Sequence, residues 1–210
     1  MTIGLLLVDD HPVVLDGLRV ALGRYDDVTI VGEASTMAGA RDLMGDPAVD
    51  VVLLDLRLPD GSGADLLREA QDFSAPPAVI VLSSFMTAQY VHAAIALGAS
   101  GFLLKTAPTQ EIHAAIVLVA GGRLAFSADQ LRASRTAAWV PLTSREHDLI
   151  AGVMAGRSND ELSANLGVAR KTVEASLARL FIRFDVGTRT ELAILAEREQ
   201  LLDLPVDLTP

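Results

Sequence analysis

The chemistry on offer in this chain comes from Asp9, Asp10, Asp55, Ser83 and Lys105, each of which follows a short run of valine, isoleucine and leucine. Three carboxylates brought together raise one another's pKa unless a cation compensates them. A hard divalent ion, Mg²⁺ or Mn²⁺, takes carboxylate, carbonyl and water oxygens and is the natural compensator. A hydroxyl at Ser83 and an ammonium at Lys105, facing a metal-bound carboxylate, complete a site for a phosphoryl group. The cations neutralise the phosphoryl oxygens while Asp55 attacks in line. Taken singly, each residue has an ordinary reading: a solvated turn, a loop hydroxyl, a strand-end lysine. Five of them at the ends of four predicted strands do not.

The elements that must position these groups follow from hydrophobic pattern. Ile3–Val8, Val28–Gly32, Val51–Leu54, Ala78–Leu82 and Gly101–Leu104 are apolar runs too short for helices, the signature of parallel strands buried on both faces. Between them, Pro12–Arg24, Met37–Met44, Ala64–Gln71, Ala88–Leu97 and Thr109–Ala120 carry apolar stripes of helical period. Five strand–helix units with right-handed crossovers give an α/β fold, a doubly wound five-stranded parallel sheet with helices on both faces. Function in such sheets collects at the carboxyl ends of the strands.

Beyond Gly121-Gly122 the strand signals stop. Residues 127–137 predict one helix with Ser127 as N-cap, and Val140-Pro141 breaks it. Four helices follow, three opened by capping boxes: Thr143/Glu146, Ser158/Glu161 and Thr188/Glu191. The second ends near Leu166-Gly167, where glycine suits a left-handed C′ position, and another begins about three residues later. Two short helices joined by such a turn form a helix-turn-helix. The expected division is residues 1–121, a linker at 122–141, an all-α domain at 142–204 and a tail at 205–210.

Composition narrows the classes. Half the residues are hydrophobic and 21% are charged, so the chain is globular rather than disordered. Cysteine is absent, which excludes disulfides and thiolate metal sites. No apolar stretch nears the roughly 18 residues of a membrane span, and no signal peptide is visible, so a cytoplasmic location is expected. The net charge of −10 argues against nucleic acid until its distribution is seen. Up to residue 120 there are six Arg and Lys against fifteen Asp and Glu, whereas residues 142–198 hold eight of each.

The stretches Leu7-Val8-Asp9-Asp10-His11, Leu54-Asp55-Leu56-Arg57-Leu58-Pro59-Asp60-Gly61, Leu82-Ser83 and Gly101-Phe102-Leu103-Leu104-Lys105 resemble the receiver domain of bacterial response regulators over residues 3–120. The resemblance implies a flavodoxin-like strand order 2-1-3-4-5 and Asp55 as phosphoacceptor. It also implies Asp9, Asp10, Asp55 and the Arg57 backbone carbonyl as metal ligands, with Ser83, Phe102 and Lys105 as switch residues. A sensor histidine kinase would be the partner. Thr106 follows Lys105 where many receivers have proline.

Residues 142–200 resemble the LuxR-type DNA-binding domain of the NarL/FixJ subfamily, through Leu142-Thr143-Ser144-Arg145-Glu146, Gly156-Arg157-Ser158-Asn159-Asp160-Glu161-Leu162, Lys171-Thr172-Val173 and Gly187-Thr188-Arg189-Thr190-Glu191-Leu192. This implies that a third helix, Arg170–Phe184, enters the major groove of double-stranded DNA, and that a last helix, about Thr190–Leu201, supports a homodimer. Val173, Leu177, Leu180, Phe181 and Phe184 fall on its core stripe. Arg170, Lys171, Thr172, Glu174, Ala175, Ala178, Arg179 and Arg183 are left as candidate DNA contacts, the cations for phosphate, Glu174 for cytosine N4 and the alanines for thymine methyl. Ala169 stands at the cap position and Ser176 where a histidine is common.

The leading reading is a phosphorylation-controlled transcriptional regulator, not an enzyme, although it accepts a phosphoryl group and self-hydrolyses it. The alternative is a protein-interaction switch whose helix-turn-helix lacks specific DNA binding, motivated by Glu174, the missing cap and the neutral domain charge. An aspartyl-phosphate phosphatase would want an acid two residues after the nucleophile, and position 57 is arginine.

Overall fold

In the computed structural model, residues 2–84, 86–136, 142–198 and 201 are described. The chain forms two compact units, Met1–Trp139 and Val140–Pro210. The expected break at Val140-Pro141, the tail at 205–210 and residues 199–200 of the last helix lie outside the described residues.

The first unit alternates β1 (Ile3–Val8), α1 (Pro12–Leu22), β2 (Val28–Ala34), α2 (Met37–Met44), β3 (Val51–Asp55), α3 (Gly63–Glu69), β4 (Ala78–Ser83), α4 (Ala88–Ala96), β5 (Gly101–Leu104) and α5 (Thr109–Ala120). The strands pair in parallel in the order β2-β1-β3-β4-β5. Every residue of β3 is buried, as the unbroken apolar run requires of a central strand covered on both sides. One face packs Leu5, Leu7, Leu53, Ile80 and Leu82 against Leu15, Leu22, Ile112 and Ile116 from α1 and α5. Each such side chain contributes about 1.5–3 kcal/mol on burial. Thr36, Ser62 and Thr87 cap α2, α3 and α4 by accepting N–H bonds from Gly39, Ala64 and Tyr90.

Several bounds differ from the sequence pattern. α1 stops at Leu22, before Arg24, β2 continues two residues past Gly32, α3 runs Gly63–Glu69 instead of Ala64–Gln71, and α4 ends at Ala96. A small antiparallel hairpin, Arg57–Leu58 with Gly61–Ser62, follows β3 where the apolar pattern gives no strand. Its Asp60 accepts the N–H groups of Met37 and Ala38, fastening the hairpin to the start of α2. Those bonds hold the Asp60 carboxyl below its ordinary pKa.

A sixth helix, α6 (Ala128–Thr136), packs on α4. Ser127 caps it: its hydroxyl accepts from the Gln130 backbone N–H while the Gln130 side-chain Oε1 accepts from the Ser127 N–H. Just before it, Ala125 donates its N–H to the Ser100 carbonyl and bridges Gly101 in parallel. Gly101 must be glycine for this approach, since a Cβ there would lie 2.9 Å from the Ala125 methyl.

The second unit contains α7 (Ser144–Met154), α8 (Asn159–Leu166), α9 (Arg170–Phe184) and α10 (Arg189–Arg198) around Leu149, Ile150, Val153, Leu162, Val173, Leu177, Leu180 and Leu192. Capping boxes at Thr143/Glu146 and Ser158/Glu161 are complete. The one at Thr188/Glu191 is not reciprocal. Thr188 accepts the Glu191 N–H, but the Glu191 carboxylate takes the N–H of Gly187 instead of Thr188. Gly167 closes α8 at φ +62°, the left-handed conformation that glycine adopts without penalty.

Candidate phosphoryl site and nucleic-acid interface

The sheet order places the carboxyl ends of β1 and β3 side by side, with β4 and β5 beyond them. Val8 pairs with Leu54 and Asp55 with Leu82, so the residues just past β1 meet the last residue of β3 at one edge. The Lys105 N–H bonds the Ser83 carbonyl at 2.8 Å, binding the ends of β4 and β5 together. All five residues singled out by type therefore share one edge.

There the Lys105 ammonium sits between two carboxylates, 2.6 Å from Asp9 Oδ2 and 2.7 Å from Asp55 Oδ2. The side chains are 11% exposed for Lys105, 2% for Asp9 and 7% for Asp55. Burial pushes the Asp55 carboxyl above its ordinary pKa, Lys105 opposes that shift and the Asp9 charge adds to it. Burial lowers the Lys105 pKa, but bonds to Asp55 and Asp9 outweigh it and leave the ammonium above its usual value. The Arg57 N–H donates to Asp55 Oδ1 at 3.3 Å.

Asp9, Asp10, Asp55 and His11 each offer one ligand atom within 4.8 Å of the others. His11, which directly follows the acidic pair, is the member of this group that was not among the five residues singled out by type. Its N–H donates to Asp9 Oδ1, and its Nδ1 lies 2.6 Å from Asp10 Oδ1. Asp9 Oδ2 and Asp10 Oδ1 are buried without a well-aligned hydrogen bond, with Lys105 and the His11 ring nitrogen as their ion-pair neighbours. Three clustered carboxylates with a single ammonium, which touches two of them, leave an excess of negative charge that a divalent ion would offset, so the donor set fits a hard metal. Ser83 is buried at the end of β4, and Phe102 is fully buried within β5.

On the second unit, α9 spans Arg170–Phe184 as the pattern requires, with no side-chain cap at Ala169. Its inner face buries Val173, Ser176, Leu177 and Leu180, while Phe181 and Phe184 are only half-buried. Ser176, with a small side chain, takes a core place that the apolar stripe left unassigned. Lys171, Thr172, Glu174, Ala175, Ala178 and Arg179 are exposed. The candidate cations are not equivalent. Arg170 bonds Glu174 and also Asp160 on α8. Arg183 is half-buried, 2.9 Å from Glu146 on α7, with its guanidinium over the Phe184 ring. Arg179 donates to Ser176 Oγ, and Lys171 carries no ion pair among the described residues. Arg183 is thus the candidate cation tied into the fold, and Arg170, Lys171 and Arg179 lie on the exposed side of α9.

An acidic notch with a buried lysine on a flavodoxin-like sheet, followed by a helix-turn-helix unit, is the arrangement of a receiver with a DNA-binding output. Known proteins agree. Residues 5–117 match the response regulator receiver domain, and residues 140–196 match the LuxR family of bacterial regulatory proteins. Among relatives, the transcriptional regulatory protein MctR of Rhizobium johnstonii is 34% identical over 90% of this chain and 91% of its own length. LiaR of Bacillus subtilis is 31% identical over 96% of this chain and 100% of its own. The crystal structure of the response regulator ChrA of a heme-sensing two-component system is similar at TM-score 0.54 and 32% identity, covering 95% of this chain and 98% of that one. The chain belongs to the response regulators with a receiver domain and a LuxR-type DNA-binding domain, a family of non-enzymatic transcriptional regulators that implies a kinase partner. Among the described residues no helix is long and apolar enough to cross a membrane.

Proposed function

We propose that Asp55 is the phosphoacceptor of a cytoplasmic regulator that binds double-stranded DNA as a homodimer. The observation that carries this reading is the Lys105 ammonium held between Asp9 and Asp55, an arrangement suited to the charge of an incoming phosphoryl group. A sensor histidine kinase is the donor. Asp55 Oδ bonds to phosphorus as the phosphorus–nitrogen bond of a phosphohistidine breaks, and the departing imidazole nitrogen takes a proton. Asp9, Asp10 and Asp55, with the Arg57 backbone carbonyl, would hold Mg²⁺ or Mn²⁺, whose chemistry is to neutralise phosphoryl oxygens. Lys105 then leaves its carboxylates for a phosphoryl oxygen, Ser83 donates its hydroxyl to another, and Phe102 answers the change in β5. Water later attacks the phosphorus and returns Asp55 and inorganic phosphate.

The receiver function is assigned to residues 1–121, the join to 122–141 and DNA binding to 142–204, with 205–210 a tail. In the output domain α9 enters the major groove. Lys171, Thr172, Arg179 and Arg170 contact phosphate, and Glu174, Ala175 and Ala178 face the bases. Arg183 contributes through the fold, by way of Glu146. Selection of bound DNA from a random pool, with and without acetyl phosphate, tests acceptor and output together. The expected result is a two-fold symmetric site enriched more strongly after phosphorylation. Acetyl-phosphate-dependent dimerisation that persists in Asp55→Asn would refute the acceptor, and enrichment of no sequence would favour the protein-interaction alternative.

A further inference from the structure

The face beside the phosphoryl site is covered by the chain itself. α6 lies on α4, and the side chains it buries most fully are Gln130 and Ser134, while Leu131 stays 40% exposed. Gln130, 8% exposed, has its whole amide engaged: Nε2 donates to the Phe102 carbonyl at 2.9 Å and reaches Met86 Sδ at 3.5 Å, and Oε1 accepts from the Ser127 N–H. Its two outer partners flank the phosphoryl site, one in β5 and one just past the end of β4. Met86 lies three residues beyond Ser83 on the way out of β4, and Phe102 lies three residues before Lys105 on β5. A second anchor closes the far end. His92 on α4 donates Nδ1–H to the Ser134 carbonyl at 2.9 Å, satisfying one of the last carbonyls of α6.

We propose that α6 is a clamp docked on α4 and β5, with Gln130 as the residue that senses the site, and that a phosphoryl group on Asp55 releases it. The inference rests on the reading of Asp55 as acceptor. When Ser83 and Lys105 turn to the phosphoryl oxygens, the segments bearing Met86 and Phe102 move with them. A cavity of about 520 Å³ lined by Met86, Phe102, Leu118, Phe126 and Gln130 gives those side chains space to rearrange. The Gln130 amide then loses the carbonyl that ties α6 to β5. Losing one such hydrogen bond shifts the balance between docked and free helix by roughly 2- to 12-fold. Because the docked face is polar, little apolar surface resists release.

The test is hydrogen–deuterium exchange of the full chain in Mg²⁺, with and without acetyl phosphate, with intact mass recording the adduct. Backbone amides of residues 128–136 should exchange roughly 2- to 12-fold faster in the phosphorylated protein, while those of α5 stay unchanged. Gln130→Ala and His92→Ala should show fast exchange in α6 before any phosphoryl is added and respond little to it, with strand protection intact as the folding control. Equal α6 protection in phosphorylated and unphosphorylated protein overturns the clamp. So does a Gln130→Ala protein whose α6 exchanges like the parent's. If no adduct forms on Asp55, the acceptor reading fails and takes the trigger with it.

Discussion

Replacing Lys105 with methionine keeps the length of the side chain and removes the one ammonium that holds Asp9 and Asp55 together. Both carboxylates are almost wholly buried, and Lys105 lies within 2.7 Å of each. Removing one partner from such a group leaves uncompensated charge and costs about 3–5 kcal/mol. For a unit of this size about 4 °C accompanies each kcal/mol, so the receiver transition should fall by roughly 12–20 °C without metal. Divalent metal should reverse much of that loss, since an ion at about a thousand times its Kd adds about 4 kcal/mol. It should also raise the variant more than the parent, because in the parent the ammonium competes for the same oxygens. Calorimetry of the full chain across a Mg²⁺ titration reads both effects. A fall under about 4 °C without metal, or the same Mg²⁺ increment in both proteins, would refute the electrostatic account of the notch.

The remaining predictions concern the second unit. Glu146→Gln removes the partner of Arg183 and weakens the Thr143 cap, so it should lower the stability of that unit by about 1–2 kcal/mol in urea unfolding. In the parent the Thr143 and Arg183 contacts outweigh burial and hold the Glu146 carboxyl below its ordinary value near 4.5. Its contribution is therefore complete above that value and disappears as pH falls through the lower folded pKa, and a parent-minus-variant difference that grew on acidification would contradict this. Ala169→Ser supplies the cap that α9 lacks and should stabilise the unit by about 0.5–2 kcal/mol, read from the urea midpoint. Lys171→Ala should reduce the salt slope of DNA binding by about 1 at little cost in stability, whereas Arg183→Met should lose stability first. Equal losses of binding from the two at matched folding would show that their structural difference does not matter.

Where burial is apolar and periodic, the elements could be read from the chain alone. α2, β5, α5 and α9 begin and end where the pattern puts them. The acidic notch was legible for a related reason: each of its residues follows a strand whose length the apolar run defines. What escaped was set by polar contacts between distant residues, which leave no period. The Arg57–Ser62 hairpin has strands of two residues, too short for alternation to register. Arg170 looked like a free cation because Asp160, ten residues earlier, becomes its neighbour only after α8 and α9 pack. The place of α6 was hidden most completely. Its inner side is built from Gln130 and Ser134, residues that a hydrophobic pattern assigns to water.

The approach of Ala125 to Gly101 matters for how the protein behaves when shortened. β5 is the last strand of the sheet, and an open strand edge is a template on which another chain can lay down its own. Residues around Ala125 occupy part of that edge in the intact protein. A fragment cut at residue 121 uncovers it, and should self-associate more readily than one carried through residue 136.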